Sequence, residues 1–212
     1  MKIIVKDYTK IINDNVILDN VNLTFESGNI YGFYGKNGSG KSMFFRALTT
    51  LIYPTSGDIL IDDVSLIKDN YDLRNFGVVI EDPGFYPSLS GFKNLELLYT
   101  INHKKNDKVI NDVLDKVGLL KYKNKTYKEY SFGMKQKLRI AQSIMEDQKI
   151  IIWDEPTNGL DSKSIKDIYN LILEEKKKDK VIFIASHNKE DLDLLCDKIY
   201  HVYDGKFELI NE

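Results

Sequence analysis

The chain has 212 residues, a formal net charge of −2 and 42% hydrophobic residues, enough for one large domain with a full core. So balanced a charge gives no bulk attraction to nucleic acid or anionic membrane, and no nucleic-acid partner is expected. No apolar run approaches the roughly 18 to 20 residues that span a bilayer, and the opening 1–7 is too short and too charged for a signal peptide. The one cysteine, Cys196, excludes an intrachain disulfide and fits a reduced, cytosolic setting.

In chain order, residues 2–8 and 16–25 carry alternating or clustered apolar β-formers around the turn-like Asn13-Asp14-Asn15, which predicts a hairpin. A third β-prone run, Ile30-Tyr31-Gly32-Phe33-Tyr34, leads into Gly35-Lys36-Asn37-Gly38-Ser39-Gly40-Lys41-Ser42. Met43 to Leu48 then have helical apolar spacing, so the order is strand, glycine loop, helix, the context of a P-loop. Gly35, Gly38 and Gly40 let the N–H groups of the loop, those of Asn37 and Ser39 included, turn inward around a phosphate, and the helix adds its positive dipole end. Lys41 reaches the outer phosphates, and the Ser42 hydroxyl suits Mg²⁺.

The chain breaks at 53–58, and the short run 59–61 is expected to join the hairpin as an accessory sheet. Residues 76–80, 150–153 and 181–185 are continuous apolar runs, as strands covered on both faces of a parallel sheet require. Between the first two of these, 94–146 reads as mostly helical, with Val109, Val113, Leu114 and Val117 on one side of an amphipathic helix, and forms a helical subdomain inserted into the α/β core. Further helices are expected over 162–177 and 189–197, the latter holding Cys196 in a core with Leu192, Leu195 and Ile199 at helical spacing. Lys176, Lys177 and Lys178 end the former as a solvated cationic cap. Runs 198–203 and 206–210 flank Asp204-Gly205, a hairpin turn.

Asp154 and Glu155 end the second apolar run, which places two carboxylates at the carboxyl edge of a parallel sheet, where α/β folds bind ligands. Asp154 suits Mg²⁺ held through water, and Glu155 suits polarising a water aimed at a γ-phosphate.

The P-loop, Tyr130-Ser131-Phe132-Gly133-Met134-Lys135-Gln136, Asp154-Glu155-Pro156-Thr157-Asn158-Gly159-Leu160-Asp161 and Ala185-Ser186-His187, in this order, resemble an ABC-type ATPase over essentially the whole chain. The resemblance implies an α/β P-loop NTPase with a mostly parallel core sheet, a small antiparallel accessory sheet and an inserted helical subdomain. Its single domain, 1–212, divides into 1–80 and 147–212 as core and 81–146 as helical part. It further implies ATP and Mg²⁺ as cofactors, a second ATPase subunit, and a separate transmembrane permease that holds the chain on the cytoplasmic face of the cell membrane. Ser131 and Gly133 then contact the γ-phosphate held by the other subunit, Asp161 falls in the loop crossing the dimer interface, and His187 is the switch histidine. Catalysis rests on Glu155, His187 and Lys41.

Three positions depart from the family pattern. Phe132 and Met134 replace a glycine and a glutamine of the signature. Glu81 stands where the family usually has a glutamine that senses Mg²⁺, and 78–86 is similar to exporters of the bacitracin and lantibiotic-resistance type. Ile12 aligns with the aromatic residue that stacks on adenine. His103 and His201 match no family position and are expected to be structural or solvent-facing. The rival readings are a soluble ABC ATPase with a non-transport role, whose repair and translation members carry coiled-coil insertions or paired ATPase units absent from this sequence, and a nucleotide-dependent switch with little turnover.

Overall fold

The structure is a computed structural model that describes residues 1–69, 71–80 and 83–211. The elements begin with β1 (Lys2–Ile12), β2 (Asn15–Glu26), β3 (Ile30–Tyr34), α1 (Lys41–Leu48), β4 (Ser56–Ile61), β5 (Val64–Ser65) and β6 (Phe76–Val79). Three helices follow, α2 (Gly91–Asn102), α3 (Asp107–Lys116) and α4 (Phe132–Ile144). The chain then runs through β7 (Ile150–Asp154), α5 (Ser162–Lys176), β8 (Val181–Ser186), α6 (Lys189–Leu195), β9 (Lys198–Tyr203) and β10 (Lys206–Asn211).

These strands form two sheets. One is antiparallel, in the order β2-β1-β4-β5, and holds the expected hairpin with the 59–61 run paired against β1. Asn13 and Asp14 turn the hairpin with φ of 48° and 64°, a left-handed conformation that Asn and Asp tolerate best after glycine. The other sheet runs β10-β9-β3-β8-β7-β6 and is parallel except for its β9-β10 edge.

Both faces of the larger sheet are covered, and alternation along the strands divides the core in two. Ile150, Ile152, Val181, Phe183 and Ala185 face the antiparallel sheet and α1. Ile151, Trp153, Ile182 and Ile184 face the helical side. That is why 150–153 and 181–185 lack the polar alternation of a half-exposed strand. Phe25 of β2 anchors the first layer, its ring 4.8 Å edge-on from both Tyr31 and Phe183.

The helical segment is tied to the sheet by α4. Trp153 Nε1 donates to Ser143 Oγ at 2.8 Å, and Gln142 Nε2 to the Val78 carbonyl at 2.7 Å. On α3 the buried stripe is Ile110, Val113 and Leu114, while Val109 is only half-buried. The last helix is shorter than its apolar spacing predicts, because α6 stops at Leu195 and Ile199 already lies in β9. Cys196 is still a core thiol, packed against Gly32 of β3, and burial pushes its pKa up.

Candidate active site

The strand order builds the site. β3, β8 and β7 are neighbours, with Tyr34 level with Ser186 and Ala185 level with Asp154, so the segments leaving these three strand ends share one edge. A cleft of about 530 Å³ opens there, lined by Gly38, Lys41, Ser42, Asp154 and Glu155 among others.

The loop 35–40 has the shape of a phosphate cradle. A β-carbon on Gly35 would stand 2.3 Å from the Val202 carbonyl oxygen, and Gly38 and Gly40 take φ of 81° and 115°, so the turn requires glycine. Gly40 precedes α1 and offers no side chain to cap its first turn, where a helix leaves N–H groups without intrahelical partners. Ser39 Oγ is buried with no hydrogen-bond partner among the described residues, a position that a phosphate oxygen would satisfy.

Lys41 is folded back over this loop. Its ammonium donates to the carbonyls of Gly35 at 2.6 Å and Lys36 at 3.1 Å. Burial holds its pKa below the ordinary lysine value, against the opposing pull of Asp154 and Glu155. An anion entering the loop would give that buried cation a stronger acceptor than two carbonyls.

Next in the chain, the Ser42 hydroxyl donates to Asp154 Oδ2. Burial keeps the Asp154 carboxyl above the usual carboxylate range, although the Ser42 bond works against it. Adjacent hydroxyl and carboxylate oxygens are the hard donors that Mg²⁺ takes together with phosphate oxygens and water. Among the described residues no cluster of three or more His, Cys, Asp or Glu could hold a metal.

Glu155 leaves β7 with φ of 51°, its N–H bonded to the Ala185 carbonyl at 2.9 Å. Its carboxylate meets the next loop twice: Oε1 accepts the His187 backbone N–H at 2.9 Å, and Oε2 stands 2.9 Å from the His187 ring Nδ1. From α4 the buried Gln136 donates to the carbonyls of Glu155 and Pro156 at 3.2 and 3.3 Å, fixing the turn.

Residues 18–158 match the family model described as ABC transporter. The chain is 41% identical over 204 residues to the ABC transporter ATP-binding protein YybJ of Bacillus subtilis, covering 96% of this chain and 94% of that one. The chain belongs to the ABC transporter family. It is the ATP-binding cassette, an ABC ATPase. It is also 39% identical to the bacitracin transport ATP-binding protein BcrA of Bacillus licheniformis, over 94% of this chain and 66% of the longer BcrA. The dimeric structure of MJ0796, a bacterial ABC transporter cassette, superposes with a TM-score of 0.86 at 25% identity, covering 97% of this chain and 96% of that one.

In this cassette the signature does not share the cleft evenly. Ser131 and Gly133 open onto a second depression, of about 340 Å³, together with Gly159 and Asp161. Ser131 caps α4 by accepting the Met134 N–H at 3.3 Å, and Asp161 caps α5 by accepting the Ser164 N–H at 2.8 Å, a bond that lowers its pKa. Phe132 lines both hollows.

Other expected positions fall elsewhere. Ile12 ends β1 opposite Asn15 and is not among the residues lining the cleft, where Ile17 of the same hairpin stands instead. Glu81 lies outside the described residues. His103 pairs with Glu146 at 2.9 Å and His201 stacks on Tyr34 at 5.9 Å between ring centres; neither lines the cleft. Sequence reasoning gave Gln136 no role although it lies inside the signature run, and it passed over Arg139, which also lines the cleft.

Proposed function

We propose that two copies of this cassette close head to tail around two Mg²⁺-bound ATP molecules and so power a separate membrane-spanning subunit, an exporter of peptide or antibiotic type. The observation that carries this reading is the separation of Ser131 and Gly133 from the P-loop cleft of their own chain. Ser131 and Gly133, which line the second depression while Phe132 reaches both, have a function at the nucleotide if a second chain presents them. The dimeric cassette structure and the similarity to BcrA support the same reading. No helix among the described residues is long and apolar enough to cross a membrane. In this reading the spanning part is a permease, the cassette sits on its cytoplasmic face, and residues 81–146 are the helical part between them.

Within each site, Lys41 and the N–H groups of Gly35, Asn37, Gly38, Ser39 and Gly40 hold the phosphates. Glu155 accepts a hydrogen bond from the attacking water and aims it, while His187 stands beside the terminal phosphate on the same carboxylate. Ser42 and Asp154 would hold Mg²⁺, with Glu81 assigned to it from sequence position alone. When bound, the ion neutralises charge on the outer phosphate oxygens. Ser131 and Gly133 of the second chain complete the site, and Asp161 ends the loop along the seam. Ile12 is assigned to the base side from sequence position alone, while Ile17 of the same hairpin lines the cleft; with no aromatic ring at either position, selection between ATP and GTP is weak.

The dependence of turnover on protein concentration tests the reading. A shared site gives a rate per chain that rises with concentration toward a plateau; a rate per chain that stays constant on dilution overturns it.

A further inference from the structure

Behind the Glu155–His187 contact lies a second set of bonds between the same two loops, centred on Asp191 of α6. Its Oδ2 accepts the Thr157 hydroxyl at 3.2 Å, and its Oδ1 accepts the Asn188 side-chain amide at 2.9 Å. Thr157 follows Glu155 by two residues, and Asn188 follows His187 directly. Asn188 is fixed in turn: its N–H donates to Ser186 Oγ at 3.0 Å, and its own side-chain oxygen accepts the Glu190 N–H at 3.0 Å at the start of α6. The half-buried Tyr169 of α5, the helix that the 155–161 loop leads into, faces the same carboxylate. Burial and then Asp191 push its phenol pKa up.

One carboxylate thus spans three elements: the loop after β7, the segment after β8, and the middle of α5. Two of its contacts are to donors that stand within two residues, along the chain, of the groups proposed to handle the attacking water. Pulling either loop by an ångström would move Glu155 relative to His187, and a displacement of that size in a reacting geometry costs about 100-fold in rate.

We infer that Asp191 is a positioning residue for hydrolysis, clamping the Glu155 loop and the His187 loop into one register through Thr157 and Asn188. Asp191 is not among the residues lining the cleft; it acts through the two residues it holds. The inference rests on the reading of Glu155 and His187 given above.

The test is a comparison of steady-state ATPase parameters for Asp191→Ala, Thr157→Val and the double variant, with Glu155→Gln in the same assay. Asp191→Ala is expected to lower kcat by about 10- to 100-fold with KM unchanged. Asp191→Asn, which still offers Thr157 an acceptor, should lose less than Asp191→Ala. Thr157→Val keeps the side-chain shape while removing the hydroxyl, so it should lower kcat without unfolding the loop. Because the two residues act through one bond, the double variant should fall no further than Asp191→Ala alone. A wild-type kcat in both single variants, a change confined to KM, or losses that multiply in the double variant would each overturn the inference. If Glu155→Gln retains turnover, the underlying reading fails; if it stops turnover while Asp191→Ala runs at the wild-type rate, only the clamp fails.

Discussion

The Glu155 carboxylate holds His187 by two atoms, the backbone N–H and the ring Nδ1, each at 2.9 Å. The pair bridges the ends of adjacent strands β7 and β8, so sheet register brings the two segments side by side and the contacts between them set the final spacing. Glu155→Gln retains an oxygen for the His187 N–H and nearly the same shape, yet it loses the charge that polarises water. Single-turnover phosphate release should fall by about 10²- to 10⁴-fold, while equilibrium binding of ATP stays at the wild-type value.

Asp154 carries a pH signature. Burial raises its pKa in the folded chain, so at neutral pH its ionised form opposes folding, and that penalty fades as pH falls through the folded value and is gone below the unfolded one. Asp154→Asn should therefore melt at a higher temperature than wild type at pH 7 without nucleotide, the advantage shrinking on acidification. With Mg²⁺ and ATP present the order should reverse, since the amide is a poorer metal ligand. Thermal melts across pH, with and without Mg²⁺-ATP, read both effects.

At the opposite edge of the sheet Lys180 and Glu175 are fully buried and bonded at 2.5 Å. Burial alone would raise the Glu175 carboxyl; the bonds from Lys178 and Lys180 outweigh it and hold its pKa down. Their contribution is present above the unfolded carboxylate value and lost as pH falls through the folded one. Lys180→Met should destabilise the chain by about 3 kcal/mol, because it removes one partner from a buried charge, and Lys180→Met with Glu175→Leu should recover most of that loss. Urea unfolding at neutral pH measures the difference.

Gly159 has φ of 73°, and a β-carbon there would lie 2.1 Å from the Phe132 ring. Gly159→Ala therefore combines backbone strain with a clash against the signature. Adding Phe132→Ala should relieve the clash and leave the strain, about 1 to 2 kcal/mol. Unfolding midpoints of the two variants separate the parts.

The sheet was legible in the sequence because its central strands are buried on both faces and must be apolar at every position, as 150–153 and 181–185 are. The P-loop was legible because glycine is forced at Gly35 by the Val202 carbonyl and at Gly38 and Gly40 by positive φ. The end of α6 was not: Ile199 follows Leu195 at helical spacing, but its burial comes from β9, and periodicity alone cannot distinguish the two. Asp191 left no signal, since an acid three residues after an Asn cap looks like any solvated first turn until the neighbouring loop is placed beside it. Ile12 and Ile17 sit on one hairpin, and only its course decides which reaches the cleft.

The central claim is that the P-loop and signature of different chains make one site. Light scattering on Glu155→Gln, which should trap bound ATP, tests it most directly. With Mg²⁺ and ATP the mass should move from one chain of 24.5 kDa to two, and Ser131→Arg should keep it at one while ATP still binds. A Glu155→Gln protein that binds ATP fully and stays at the mass of one chain at every concentration would contradict the account.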